Sequence, residues 1–145
     1  MNPRLREPHI RPAAPADLEP VLELWASSGA EPTVTDAIEP LRALLGADPR
    51  ALLVAESGGE LVGTLIAGWN GWRGSLYRLT VRPDHRRDGL ATRLVREGER
   101  RLRECGAARI DAIVVAHEEA AVGFWSAVGY ERQGSRSRFV RDFLP

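Results

Sequence analysis

The chain has 145 residues, long enough for one domain with a real core, and its 43% hydrophobic and 28% charged content excludes a disordered polymer. Its 20 basic residues are all arginine and are balanced by 20 acids, so the zero net charge argues against nucleic acid as a partner. A lone cysteine excludes an internal disulfide, and neither an apolar leader nor a membrane-length apolar run is present, so a cytoplasmic protein with no membrane partner is expected.

In chain order, a short extended piece near 9–12 precedes a helix with apolar residues at Leu18, Val21, Leu22 and Trp25, a helical spacing. Asp17 is the expected N-cap, and Pro20 falls in the first turn. Thr35 is expected to cap a second helix that turns Ile38, Leu41 and Leu45 inward and stops at Gly46. Two β-rich runs, 51–56 and 60–68, flank Ser57-Gly58-Gly59, a hairpin signal. The loop Trp69-Asn70-Gly71-Trp72-Arg73-Gly74 then leads into the stretch that organises the chain, residues 75–94.

That stretch reads as strand, loop and helix. The strand, 75–81, is rich in Leu, Tyr, Thr and Val, and Pro83 ends its pairing. A polar turn at 84–88 follows, and Gly89 opens an amphipathic helix. Consecutive N–H groups at the positive end of a helix dipole suit a phosphate or pyrophosphate. Gly89 and Ala91 leave the backbone open to close approach, and Arg86 and Arg87 add charge.

The helix carries Leu90, Leu94, Gly98, Leu102 and Cys105 on one stripe, so Cys105 is expected in the core. Arg93, Arg96, Arg100 and Arg103 interleave with Glu97, Glu99 and Glu104 on a solvated face, with i,i+4 pairs expected between Glu97 and Arg101 and between Glu99 and Arg103. His9, His85 and His117 have no metal-ligand spacing. A strand is expected at 109–115, a short helix at 119–128 closed by Gly129, and further strands starting at Tyr130 and at 136–141. The order β-αα-βββ-α-β-α-β(β) predicts an α/β fold, one domain over 1–145, in which an antiparallel meander feeds a parallel β-α-β pair.

Two motifs carry a family resemblance. Arg86-Arg87-Asp88-Gly89-Leu90-Ala91 resembles the [Q/R]-x-x-G-x-[G/A] signature of the GNAT N-acetyltransferases, in the strand–loop–helix context that signature requires. Neither G-x-x-x-x-G-K-[ST] nor G-x-G-x-x-G is present. Further on, Ala121-x-x-Phe124-Trp125-x-x-x-Gly129-Tyr130 resembles the family's A-x-x-[LF]-Y-x-x-x-G-[FY]. Strand and loop details (L-V-G-T, W-x-G-x-R-G-x-L-Y-x-L-x-V) look like a small bacterial-type subgroup.

The resemblance implies a GNAT fold: a mixed central sheet with helices on both faces, acetyl-CoA as cosubstrate and no metal. It places pantetheine between the organising strand and the next one. Backbone groups at Leu79, Thr80 and Val81 would hold the acetyl carbonyl and pantetheine amides. N–H groups of Arg86, Arg87, Asp88, Gly89, Leu90, Ala91 and Thr92 would hold the pyrophosphate, with Phe124 and Trp125 along the cofactor near its sulfur. The first two helices would cover the acceptor side, with Trp25 either a pocket wall or a core aromatic.

The catalytic candidates implied are Trp125, Glu118 and Tyr77, and here the chain departs from the family. Trp125 stands where a tyrosine commonly protonates the leaving thiolate, and an indole N–H donates a hydrogen bond but no proton. Glu118 replaces a frequent asparagine and offers a carboxylate for an amide N–H or a proton. Tyr77 is the nearest alternative acid, its plainer reading being a half-buried strand aromatic. The implied activity is acetyl transfer to an amine of a small molecule or a protein by direct attack in a ternary complex. The alternative is a non-catalytic acetyl-CoA or acyl-CoA sensor. Homodimers through the final strand are common in the family.

Overall fold

A computed structural model describes residues 7–115 and 118–143. In order, its elements are β1 (His9–Pro12), α1 (Leu18–Ser27), α2 (Ile38–Ala47), β2 (Leu52–Ser57), β3 (Glu60–Trp69), β4 (Gly74–Val81), α3 (Leu90–Cys105), β5 (Ile110–Ala112) and α4 (Glu119–Ala127). The strands form one sheet in the order β1-β2-β3-β4-β5, antiparallel throughout except for the parallel β4–β5 pair. Among the described residues no helix is long and apolar enough to cross a membrane.

Strand periodicity divides the interior in two. On β2, Leu52 and Val54 face one core with Leu18, Val21 and Trp25 of α1 and Leu41 of α2. Leu53 and Ala55 point the other way, into a core with Leu90, Leu94, Val95 and Leu102 of α3 and Trp125 of α4. A strand buried on both faces reads as a continuous apolar run, as β2 does. α3 lies close on the sheet because Gly98 faces it: a Cβ there would stand 2.9 Å from Leu65 Cδ2 and 3.2 Å from Leu76 Cδ2.

Several expectations are corrected. Asp17 occupies the N-cap position of α1 but caps no N–H of that helix; its carboxylate accepts from Arg11 (2.7 and 3.0 Å) and from the Ala14 N–H (2.7 Å), capping the 3-10 turn Pro15–Asp17 instead. α2 starts after Ala37 with no side-chain cap, and Gly46 lies inside it. Cys105 is exposed rather than in the core. Arg101, expected on the solvated face, is buried instead: its guanidinium meets Asp48 and donates to the Arg50 carbonyl at 2.8 Å, because the loop after α2 covers that side of α3. Glu97 therefore pairs with Arg100 (2.7 Å), and Glu99 with Arg96 (2.8 Å).

The strands expected from Tyr130 and at 136–141 do not form. Residues 131–143 are exposed throughout, Phe139 at 94%, and carry four arginines. A strand needs a ladder partner and an apolar face to bury, and this segment has neither. The strand expected at 109–115 is shortened to Ile110–Ala112, for a reason that concerns the site.

Candidate active site

β4 and β5 part company early. Their parallel ladder pairs Gly74 with Ile110, Ser75 with Asp111 and Leu76 with Ala112, and there β5 ends. β4 continues to Val81 along β3, and among the described residues its other edge has no strand partner from Tyr77 onward. A bulge in the β3–β4 ladder follows just beyond that point. Thr64 pairs with Thr80 and Ile66 with Tyr77, so Arg78 and Leu79 together stand opposite Leu65. An extra residue bends a strand and sharpens its twist. Arg78 carries the bend with φ 53°, a left-handed conformation that costs an ordinary residue about 1–2 kcal/mol. Leu79, Thr80 and Val81 all lie on the parted stretch.

Beyond Val81 the chain closes a tight loop. The Arg82 N–H donates to the Val62 carbonyl (2.8 Å), and Pro83–His85 form a single 3-10 turn. The Arg82 guanidinium bridges Asp84 (2.7 Å) and Glu60 (2.9 Å), and holds the Asp84 carboxyl below its usual range. Arg87 (φ 72°) and Gly89 (φ 79°) are both left-handed, and α3 begins at Leu90.

The first backbone bond of α3 runs from the Arg93 N–H to the Gly89 carbonyl, so Leu90, Ala91 and Thr92 keep N–H groups with no intrahelical partner. A Cβ on Gly89 would meet nothing within 4 Å, so the approach to these groups is open. Donors at a helix start, in open space, fit a pyrophosphate. Arg87 and Asp88 are exposed beside them. Arg86 is exposed as well, but its guanidinium is anchored: Nε donates to the Val81 carbonyl (3.0 Å) and Nη2 to the Ser28 carbonyl (3.2 Å), tying the loop to the end of α1.

α4 brings Phe124 and Trp125 together, edge to face, with centroids 5.4 Å apart; Tyr130 packs edge-on against Trp125 at 5.0 Å. Trp125 is 9% exposed, set in the α3 core. The Tyr130 hydroxyl donates to Glu99 (2.8 Å), and burial followed by that carboxylate push its pKa up, so it stays protonated. Glu118 is exposed at the head of α4, where its side chain caps nothing. Tyr77 is 39% exposed and lies opposite Ile66, which faces α1. No hydrogen bond joins Trp125, Glu118 and Tyr77 among the described residues. A groove of about 1160 Å³ lies between β5, α4 and the C-terminal segment, and no residue from 77 to 92 lines it. It is separate from the parting of β4 and β5.

The sequence reading passed over Thr64, Arg78 and Asp36. Thr64 Oγ1 accepts from Trp25 Nε1 (2.8 Å) and donates to the Arg78 carbonyl (2.9 Å), while the Arg78 guanidinium pairs with Asp36. Trp25 is thus a core aromatic with its indole N–H committed. The one available signal was a hydroxyl in the otherwise apolar run of β3.

A parallel pair that opens after Leu76, a bulge just beyond it, and free donors at a helix start thus follow one another along the chain. Residues 18–130 match the model of the Acetyltransferase (GNAT) family. The chain belongs to that family.

Curated GNAT relatives include an acetyltransferase of Sodalis glossinidius, 34% identical over 82% of this chain and 84% of its own length. Another, from Pectobacterium atrosepticum, is 35% identical over 79% of this chain and 82% of its own. Among solved structures, Ard1 from Thermoplasma volcanium superposes with a TM-score of 0.79 at 19% identity, covering 89% of this chain and 86% of that one. The aminoglycoside N-acetyltransferase AAC(6')-Iy in complex with CoA gives 0.77 at 21% identity, covering 97% and 99%. At such identities the structural likeness is one of fold.

Proposed function

We propose that this GNAT protein transfers an acetyl group from acetyl-CoA to the nitrogen of an amine by direct attack in a ternary complex. The observation that carries the reading is the early end of the β4–β5 ladder, leading straight into the open helix start at Leu90. Acetyl-CoA supplies an activated thioester, which an uncharged amine attacks without a covalent enzyme intermediate. The chain's part is then to position, to offer a donor where negative charge develops, and to accept a proton.

In this reading the N–H groups of Leu90, Ala91 and Thr92 grip the pyrophosphate, with Arg87 adding charge. The parted edge of β4 at Leu79, Thr80 and Val81 takes the pantetheine amides and the acetyl carbonyl. Arg86 braces the loop, since its Nε and one Nη2 donor are engaged by protein carbonyls. Glu118, exposed and free of a capping bond, is the candidate proton acceptor. The amine belongs to a small molecule or a protein; AAC(6')-Iy is named for aminoglycosides, one class of such amines.

Trp125 is the observation that favours the second reading, a non-catalytic acyl-CoA sensor, because a buried indole protonates nothing. Titration calorimetry with acetyl-CoA, dephospho-CoA and pantetheine, followed by an amine panel, tests both. Saturable binding that weakens as phosphates are removed, with amine-dependent CoA release, is expected. Binding without turnover on any amine would leave the sensor, and no binding would remove both readings.

A further inference from the structure

Arg78 is held from two sides at once. Its carbonyl accepts from Thr64 Oγ1 (2.9 Å), and Thr64, fully buried, accepts in turn from Trp25 Nε1 (2.8 Å). Its side chain passes over Trp25 into the loop between α1 and α2. There Nε donates to Asp36 Oδ1 (3.2 Å), and Nη2 to the Glu31 carbonyl (2.8 Å) and to Asp36 Oδ2. The guanidinium carbon stands 5.3 Å from the centre of the Trp25 ring. Asp36 also accepts from the Thr33 N–H (3.1 Å), which fixes the carboxylate within its own loop.

These contacts explain how an arginine persists at φ 53°. Strained backbone survives only where its surroundings over-determine it, and such strain concentrates at working sites. The strained residue also sits in the bulge on the parted stretch of β4, immediately before Leu79.

We propose that Arg78 and Asp36 are positioning residues, and that Trp25, Thr64, Arg78 and Asp36 form a relay which sets the backbone at Leu79 for the acetyl carbonyl and couples the α1–α2 loop to it. This rests on the acetyl-CoA reading above. A backbone donor stabilises a developing oxyanion only if held in place beforehand, and a displacement of about 1 Å costs on the order of 10²-fold. Thr64 and Asp36 hold the two ends of that placement. Neither touches the substrate in this scheme; both act through Arg78.

The test uses Thr64→Val, Thr64→Ser and Asp36→Asn, titrated with CoA and with acetyl-CoA labelled with ¹³C at its carbonyl. In the wild type the bound carbonyl resonance is expected downfield of free acetyl-CoA, with acetyl-CoA preferred over CoA. In Thr64→Val and Asp36→Asn the resonance should return toward its free value and the preference should fall toward unity. Affinity for CoA itself should stay within about twofold, because the helix start is untouched. Thr64→Ser, which keeps the hydroxyl, should restore the wild-type shift. In the absence of any ligand, the Trp25 indole N–H should exchange with solvent at least tenfold faster in Thr64→Val than in Thr64→Ser.

Folded variants that bind CoA normally and show the wild-type carbonyl resonance would overturn the relay and leave the acetyl-CoA site standing. A wild type that binds neither CoA nor acetyl-CoA would overturn the acetyl-CoA reading, and the relay with it.

Discussion

Two substitutions at Gly89 separate backbone strain from charge. The residue sits at φ 79°, and a Cβ there meets nothing within 4 Å. Alanine and glutamate therefore carry the same backbone strain, about 1–2 kcal/mol, and share a first side-chain carbon that meets no neighbour. For a domain of this size each kcal/mol lowers Tm by about 2–5 °C, so both variants should melt alike, a few degrees below wild type. Their difference lies in the anion. A carboxylate roughly 5 Å from a doubly charged pyrophosphate, at an effective dielectric of about 40–80, is repelled by about 2–3 kcal/mol. Acetyl-CoA should then bind Gly89→Glu about 30–150-fold more weakly than Gly89→Ala in titration calorimetry. The gap should narrow as salt is raised. Equal affinities for the two variants, at equal Tm, would refute the placement of the pyrophosphate at the start of α3.

Gly98→Leu should unfold the protein or lower its Tm by more than 10 °C, since even the first added carbon lies 2.9 Å from Leu65 Cδ2 in a sealed core; near-native melting by circular dichroism would show that α3 lies farther from the sheet. Arg11 holds the Asp17 carboxyl below the usual aspartate value of 3.8, so the pair stabilises the fold above that pH and the gain is lost as pH falls through the folded pKa. Asp17→Asn should accordingly melt below wild type at pH 7, and the gap should shrink below about pH 4 in thermal scans; a gap independent of pH would exclude the ion pair as its source. Trp125→Tyr should lower Tm through lost packing against Phe124 and Tyr130, yet leave turnover per folded molecule unchanged. A tenfold rise in kcat would make position 125 the proton donor.

Local chemistry made much of this fold legible. α3, β4 and their loop announce themselves through apolar periodicity, Pro83 and Gly89, all short-range signals. What stayed hidden was set by distant partners. Arg101 looks like its arginine neighbours until the loop from Asp48 to Arg50 lies across it, and that contact spans about fifty residues. The left-handed Arg78 is equally mute in sequence, since its φ is imposed by Thr64 and Asp36 from other elements. At the candidate site, the loop donors could be read directly from a motif, whereas the tie from Arg86 to the Ser28 carbonyl, 58 residues away in the chain, could not. At 136–141 a strand was expected from a short local stretch around Phe139 and Val140; without a neighbouring strand such a stretch has nothing to pair with.

β2 has a consequence of another kind. Because Leu52 and Val54 belong to one core and Leu53 and Ala55 to the other, the strand stores a parity that both halves of the molecule depend on. Exchanging one aliphatic side chain for another disturbs one compartment modestly. Deleting a single residue reverses the parity, so every side chain beyond the cut is delivered to the wrong compartment. Descendants of this chain are thus free to vary the letters of β2 while its spacing stays fixed, and changes of length are confined to the loops at its ends.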